Sequence, residues 1–156
     1  MKKIVTALGY TFLTLIAATV ISVGVLYFEG KKLDKESKAF ADSAITAITA
    51  DWSVDELKKR ASAEFENDVD YDEIQEYLDS LGVLGKFVSS QGSTGESTIT
   101  LSPRYGYEIT ADYTGTVNFE AGSAEIQLLL IKQEGRWQIL DFRVNPQMYT
   151  EDRNVV

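Results

Sequence analysis

The sequence predicts an α+β fold, with an N-terminal transmembrane helix followed by helices packed on a curved antiparallel meander sheet. Three observations carry that expectation. Residues 4–28, "IVTALGYTFLTLIAATVISVGVLYF", contain no charge. Between Leu33 and Leu81, apolar residues recur at helical spacing. From Tyr107 to Phe119, apolar and polar residues alternate, the period of an antiparallel strand with one wet face.

The elements follow in order. At roughly 1.5 Å per residue, a helix over 4–28 is long enough for a hydrocarbon core of about 30 Å. A cleaved signal peptide would end in small residues, whereas this run ends in "LYFEGKK", and Tyr27 and Phe28 suit a membrane interface. The expectation is a signal-anchor over 1–28 and a charged juxtamembrane joint over 29–38. The α+β domain then occupies 39–146 and a tail 147–156. Lys2 and Lys3 precede the span and Lys31, Lys32, Lys35 and Lys38 follow it. The short N-tail favours an exported domain. Ala7, Thr11, Thr14, Ala18 and Ser22 form a small-residue stripe that would permit helix contact in lipid. The same hydroxyls could instead bond their own preceding turn.

Leu33, Phe40, Ala44, Ile45 and Ile48 predict an amphipathic helix over 33–50. Ser53 with Glu56 is a capping box that opens a second helix over 54–62, and Trp52 is placed to staple onto Leu57. In "FENDVDYDEIQEYLD" the aspartates at 68, 70 and 72 have the spacing that opens a calcium loop. Glu73 stands where that loop needs glycine, and Asp79 where it needs a bidentate glutamate. Asp70 and Glu73 instead read as the cap of a helix whose apolar face is Ile74, Tyr77, Leu78 and Leu81.

Five strands are expected next. They are "LGKFVSS", "ESTITLS" after a turn at "QGSTG", then Tyr107–Phe119, "AEIQLLLIKQ", and "WQILDFRV" after a turn at "EGR".

Composition narrows the chemistry. Residues 29–156 hold 13 bases against 24 acids, a net charge of −11. Such a body repels phosphates, so no nucleic-acid partner is expected. The chain has neither cysteine nor histidine, which removes disulfides, thiolate nucleophiles and the commonest zinc ligands. No metal or cofactor is expected.

The order of helices, then "LGVLGKF", then a meander closing on "GRWQILDFRVN", resembles the cystatin-like or NTF2-like α+β cone. It is similar to small bacterial membrane-anchored proteins of unknown function with that domain, over about residues 33–146. The resemblance implies a bacterial inner (cytoplasmic) membrane location, single-pass, with a periplasmic or extracytoplasmic domain. The ketosteroid isomerase group shares only this fold, and none of its catalytic motifs maps onto the chain.

Strand parity then nominates residues. Tyr107, Tyr113, Phe119 and Trp137 share the inward parity and would line either a ligand pocket at the cone mouth or a plain core. Asp141 is the single candidate for an inward carboxylate on which catalysis could rest. A bulge or the strand's end would place it in solvent instead, the preferred reading, and Arg143 could simply pair with it. If Trp137 and Ile139 point inward, then Leu129, Ile131, Leu140, Phe142 and Val144 gather on the outer face. An apolar patch there marks an interface, unless the tail covers it with Met148 and Tyr149 or a bulge swaps the faces. The functional expectation is a membrane-tethered interaction or accessory module without catalytic activity. It would dimerise or join a membrane complex through its sheet face; the alternative is a small-ligand binding domain.

Overall fold

The computed structural model describes residues 30–102 and 106–149. The chain divides into two units, Met1–Lys35 and Glu36–Val156, and the architecture below is that of the second.

In this unit helix α1 runs over residues 36–49, beginning within the stretch expected as a joint. From Glu36 onward its buried stripe is Ser37, Ala41, Ala44, Ile45 and Ile48, at helical spacing. It ends where Trp52 takes a positive φ of 50°, an uncommon conformation for a bulky residue. What holds it there is packing: the Trp52 indole stacks on Phe119 with centroids 5.1 Å apart. Ser53 caps α2 (Val54–Lys58) by accepting the Glu56 N–H at 3.3 Å, as the capping pattern requires. Helix α3 (Ala63–Asp68) is capped likewise by Ser62.

The acidic stretch is divided between two helices. Asp68 ends α3, Asp70 caps α4 (Tyr71–Ser80) by accepting the Asp72 N–H at 2.9 Å, and Asp72 sits in the first turn. Asp70 and Asp72 serve the N-terminus of α4, where negative charge is stabilised, and no metal-holding group of carboxylates forms among the described residues. A 3₁₀ turn, Leu81–Leu84, leads into the sheet.

Four strands, not five, form an antiparallel meander in the order β1-β2-β3-β4. They are β1 (Phe87–Ser102), β2 (Gly106–Phe119), β3 (Gly122–Gln133) and β4 (Arg136–Met148). The expected turn at "QGSTG" is a bulge instead: the pairing slips between Ser90 and Ser93 and then continues, with Gly92 at φ 78°. Between β3 and β4 the two-residue loop Glu134–Gly135 has φ of 51° and 77°. Two positive values are what a type I′ hairpin turn needs.

The core lies between the helices and one face of the sheet. Tyr113, Val117, Phe119, Ala124, Ile126, Leu128, Leu130 and Ile139 are buried on that face. Each large apolar side chain so placed contributes about 1.5–3 kcal/mol relative to exposure. Gly115 lets α1 approach the sheet closely, since a Cβ there would lie 2.8 Å from Ile45 Cδ1.

The expected transmembrane helix is not among these elements. No described helix is long and apolar enough to cross a membrane. Residues 1–28, with the stripe Ala7, Thr11, Thr14, Ala18 and Ser22, lie outside the described residues. The fold class is corrected to a four-stranded antiparallel sheet with a few helices. The single-pass inner-membrane location and the extracytoplasmic orientation are withdrawn with it.

Candidate functional site

The five residues expected to form an outer apolar patch do not share a face. Leu129 pairs with Asp141, yet its neighbour Leu130 pairs with Ile139, so Leu140 is an extra, unpaired residue in β4. Directly opposed residues in a ladder point the same way, and one extra residue inverts the parity of all that follows. Phe142 therefore sits opposite Leu128 and Val144 opposite Ile126, on the helix-facing side with the core. Leu129 and Ile131 remain on the other side, where Ile131 is buried and Leu129 half-buried.

What joins Leu129 there is charge. Across the sheet, one row reads Glu96, Asp112, Leu129, Asp141, and the next reads Thr94, Thr114, Gln127, Arg143. Arg143 Nε lies 2.8 Å from Asp141 Oδ2. A shallow depression of about 160 Å³ is lined by Asp112, Gln127, Leu129, Asp141 and Arg143. Asp141 is thus an outward carboxylate, paired with Arg143 and accepting the Phe142 N–H at 3.0 Å. It does not face the interior, as acid–base work in a dry cavity would need. The terminal stretch does not cover this face within the described residues: β4 runs on to Met148, and Met148 and Tyr149 are exposed.

The four aromatic residues are not brought together around a pocket. Tyr113 is fully buried with its hydroxyl 2.9 Å from Ser37 Oγ. Phe119 is packed between Trp52 and, edge-on, Phe87. Trp137 is buried beneath the Lys132 ammonium, which lies 5.5 Å from its ring and is held by Glu36. These three are core residues. Tyr107 is apart, 80% exposed.

That exposure is the useful clue. On β2, burial begins at Ala111; Tyr107 is exposed and Ile109 half-buried. Their partners on β1 are Leu101 and Ile99, 72% and 49% exposed. All four share the face that carries Tyr113 further along the sheet. Directly paired side chains lie about 4.5–5.5 Å apart, so Ile99, Leu101, Tyr107 and Ile109 form one contiguous apolar surface. Sequence parity alone does not mark it, because alternation looks the same whether or not a helix covers it. Length is the signal that could have. The buried stripe of α1 spans Ser37 to Thr49, about 20 Å of helix, against about 46 Å for the 14 residues of β2.

The two sheet edges are treated differently. At β4, Ile139 donates its N–H to Arg60 O at 2.7 Å and accepts from Ser62 N at 2.8 Å, and the Tyr77 hydroxyl donates to Val144 O at 2.9 Å. At β1, α1 covers the edge at Ser93: Asp42 Oδ1 accepts the Ser93 N–H at 2.7 Å and its hydroxyl at 2.6 Å, while Lys38 Nζ donates to Ser93 O. Burial works to raise the Asp42 pKa, but the hydrogen bonds from Ser93 and Lys38 outweigh it and hold the carboxyl below its ordinary value. Pairing is regular from Ser93 to Ser102. By alternation, the backbone groups of Ile99 and Leu101 also face the outer side of β1. No described residue bonds them there.

No family model matches this chain, and neither curated proteins nor solved structures contain a match to it.

Proposed function

We propose that this chain is a protein-interaction module whose contact surface is the far half of the β1–β2 hairpin. The supporting observation is the apolar surface of Ile99, Leu101, Tyr107 and Ile109, open on the sheet face that the helices bury elsewhere. Exposed contiguous hydrocarbon of this kind marks association. The surface replaces the β3–β4 patch, which the Leu140 bulge disperses. The reading assigns no reaction and no cofactor. Interior ligand binding has less support, because Tyr113, Phe119 and Trp137 are taken up by packing.

The test is a photo-crosslinking residue placed at Leu101 of the full chain in living cells, with one at Gln75 on α4 as reference. The expected result is a covalent protein adduct from position 101 and none from position 75. No adduct from 101 overturns the reading.

A further inference from the structure

We infer that the occupant of this surface is a second copy of the chain, joined edge to edge through β1 into a continuous sheet. The inference rests on the interaction reading above and adds the partner. Three observations carry it.

First, the two edges are unequal. Backbone from 60–62 and the Tyr77 hydroxyl occupy the β4 edge, whereas on β1 α1 engages Ser93 and leaves Ile99 and Leu101 without a described partner. An open strand edge with its N–H and C=O groups aimed outward is a template for another strand.

Second, charge permits a copy to approach here. Residues 29–156 carry −11, and the row Glu96, Asp112, Asp141 and the eight acids of 61–85 place like charges on other faces. Strand β1 carries Glu96 alone in 16 residues. If two β1 strands pair antiparallel about a two-fold axis at Ile99, each Glu96 is opposite residue 102 of the other copy. The two carboxylates are then about 20 Å apart along the strands, beyond the screening length of about 8 Å at physiological salt.

Third, "TIT", residues 98–100, matches itself in reverse. With the axis at Ile99 or at Thr100, odd residues meet odd and even meet even. Ile99 then lies opposite Ile99 or Leu101 of the second copy, on the apolar face. Thr98 or Thr100 lies opposite Thr100, on the other. Both registers also bring edge-facing N–H and C=O groups into hydrogen-bonded pairs. The two apolar surfaces merge across the axis into one closed, isologous contact.

The chain has no cysteine, so a single thiol reports cleanly. Thr100→Cys and the Thr98→Cys/Thr100→Cys double variant of the full chain are oxidised and run on non-reducing gels, with Gln75→Cys as reference. In these registers the threonine positions form the close, non-hydrogen-bonded pairs with Cα atoms about 4.5 Å apart, within disulfide reach. The expected result is a covalent dimer at least tenfold more abundant from the β1 thiols than from position 75. Ile99→Pro removes an edge N–H and should return the yield to the reference level and give monomers by sedimentation. Should circular dichroism show that variant unfolded, Ile99→Lys replaces it, opposing two cations at the axis with the same expected loss. Dependence on residue 99 also separates this contact from association through the apolar run 4–28. A monomer at all concentrations, or crosslinking equal at position 75, overturns the inference. A photo-adduct at Leu101 to a different protein overturns self-pairing and leaves the interaction reading standing. The absence of any adduct overturns both.

Discussion

Replacing Asp42 by alanine tests how α1 is fastened to the edge of the sheet. Ser93 is 4% exposed, and both its N–H and its hydroxyl donate to Asp42 Oδ1, at 2.7 and 2.6 Å. Without the carboxylate, a buried N–H loses its partner, at about 1–3 kcal/mol, and a hydroxyl bond of about 1 kcal/mol goes with it. The Lys38 pair adds little: it is a helical i,i+4 bridge with side chains 48% and 38% exposed, worth about 0.3–0.5 kcal/mol. Because the carboxylate is more than a third exposed, the lower part of the range applies, about 2–3 kcal/mol. With a urea dependence of about 2 kcal/mol per molar, the unfolding midpoint falls by about 1–1.5 M. Asp42→Asn keeps an acceptor for the N–H and costs about 1 kcal/mol. The pH dependence follows from the lowered pKa. A carboxyl depressed in the fold stabilises above its ordinary value of 3.8, and the contribution is lost as pH falls through the lower, folded value. The gap between the parent chain and Asp42→Asn is therefore flat above about pH 5 and narrows in acid. A midpoint shift for Asp42→Ala under about 0.3 M, or a gap that widens in acid, would refute the fastening.

Three further outcomes are expected. Gly115→Ala brings a Cβ to 2.8 Å from Ile45 Cδ1 and costs about 1–3 kcal/mol by urea unfolding. Ile45→Val, which deletes that atom, costs about 0.5–1.5 kcal/mol alone but recovers stability in the Gly115→Ala background, giving a measurable coupling. Deleting Leu140 removes the bulge but leaves Asp141 opposite Leu129, Phe142 opposite Leu128 and Val144 opposite Ile126 in a regular ladder, so cooperative unfolding should be retained in calorimetry. Asp112→Thr relieves the direct opposition of Glu96 and Asp112 and should raise stability by about 0.2–1 kcal/mol, more at low salt than at high.

Much of the local structure is legible in the sequence because its causes are local. Ser53 and Asp70 begin α2 and α4 since a capping side chain reaches two or three residues along its own chain. The Glu134–Gly135 turn and the alternation of β2 are likewise set by neighbouring residues. The short helix α3 escaped notice because Ser62 opens one too brief to show a period. The break expected at "QGSTG" is a slip within one strand, since glycine and serine serve a bulge as readily as a turn.

The candidate surface is a different matter. By itself the sequence determined the starts of α2 and α4, the strand periods, the acidic body and the absence of thiol and imidazole chemistry, because each depends on residue type or short spacing. Only the tertiary structure decided which face of β4 holds Phe142 and Val144, that Asp42 clasps Ser93 from 51 positions away, and that Ile99, Leu101, Tyr107 and Ile109 lie open. A bulge at Leu140 has no signature in composition, yet it inverts every later side chain. Exposure depends on how far another element reaches across a sheet, and a strand's own residues do not record that.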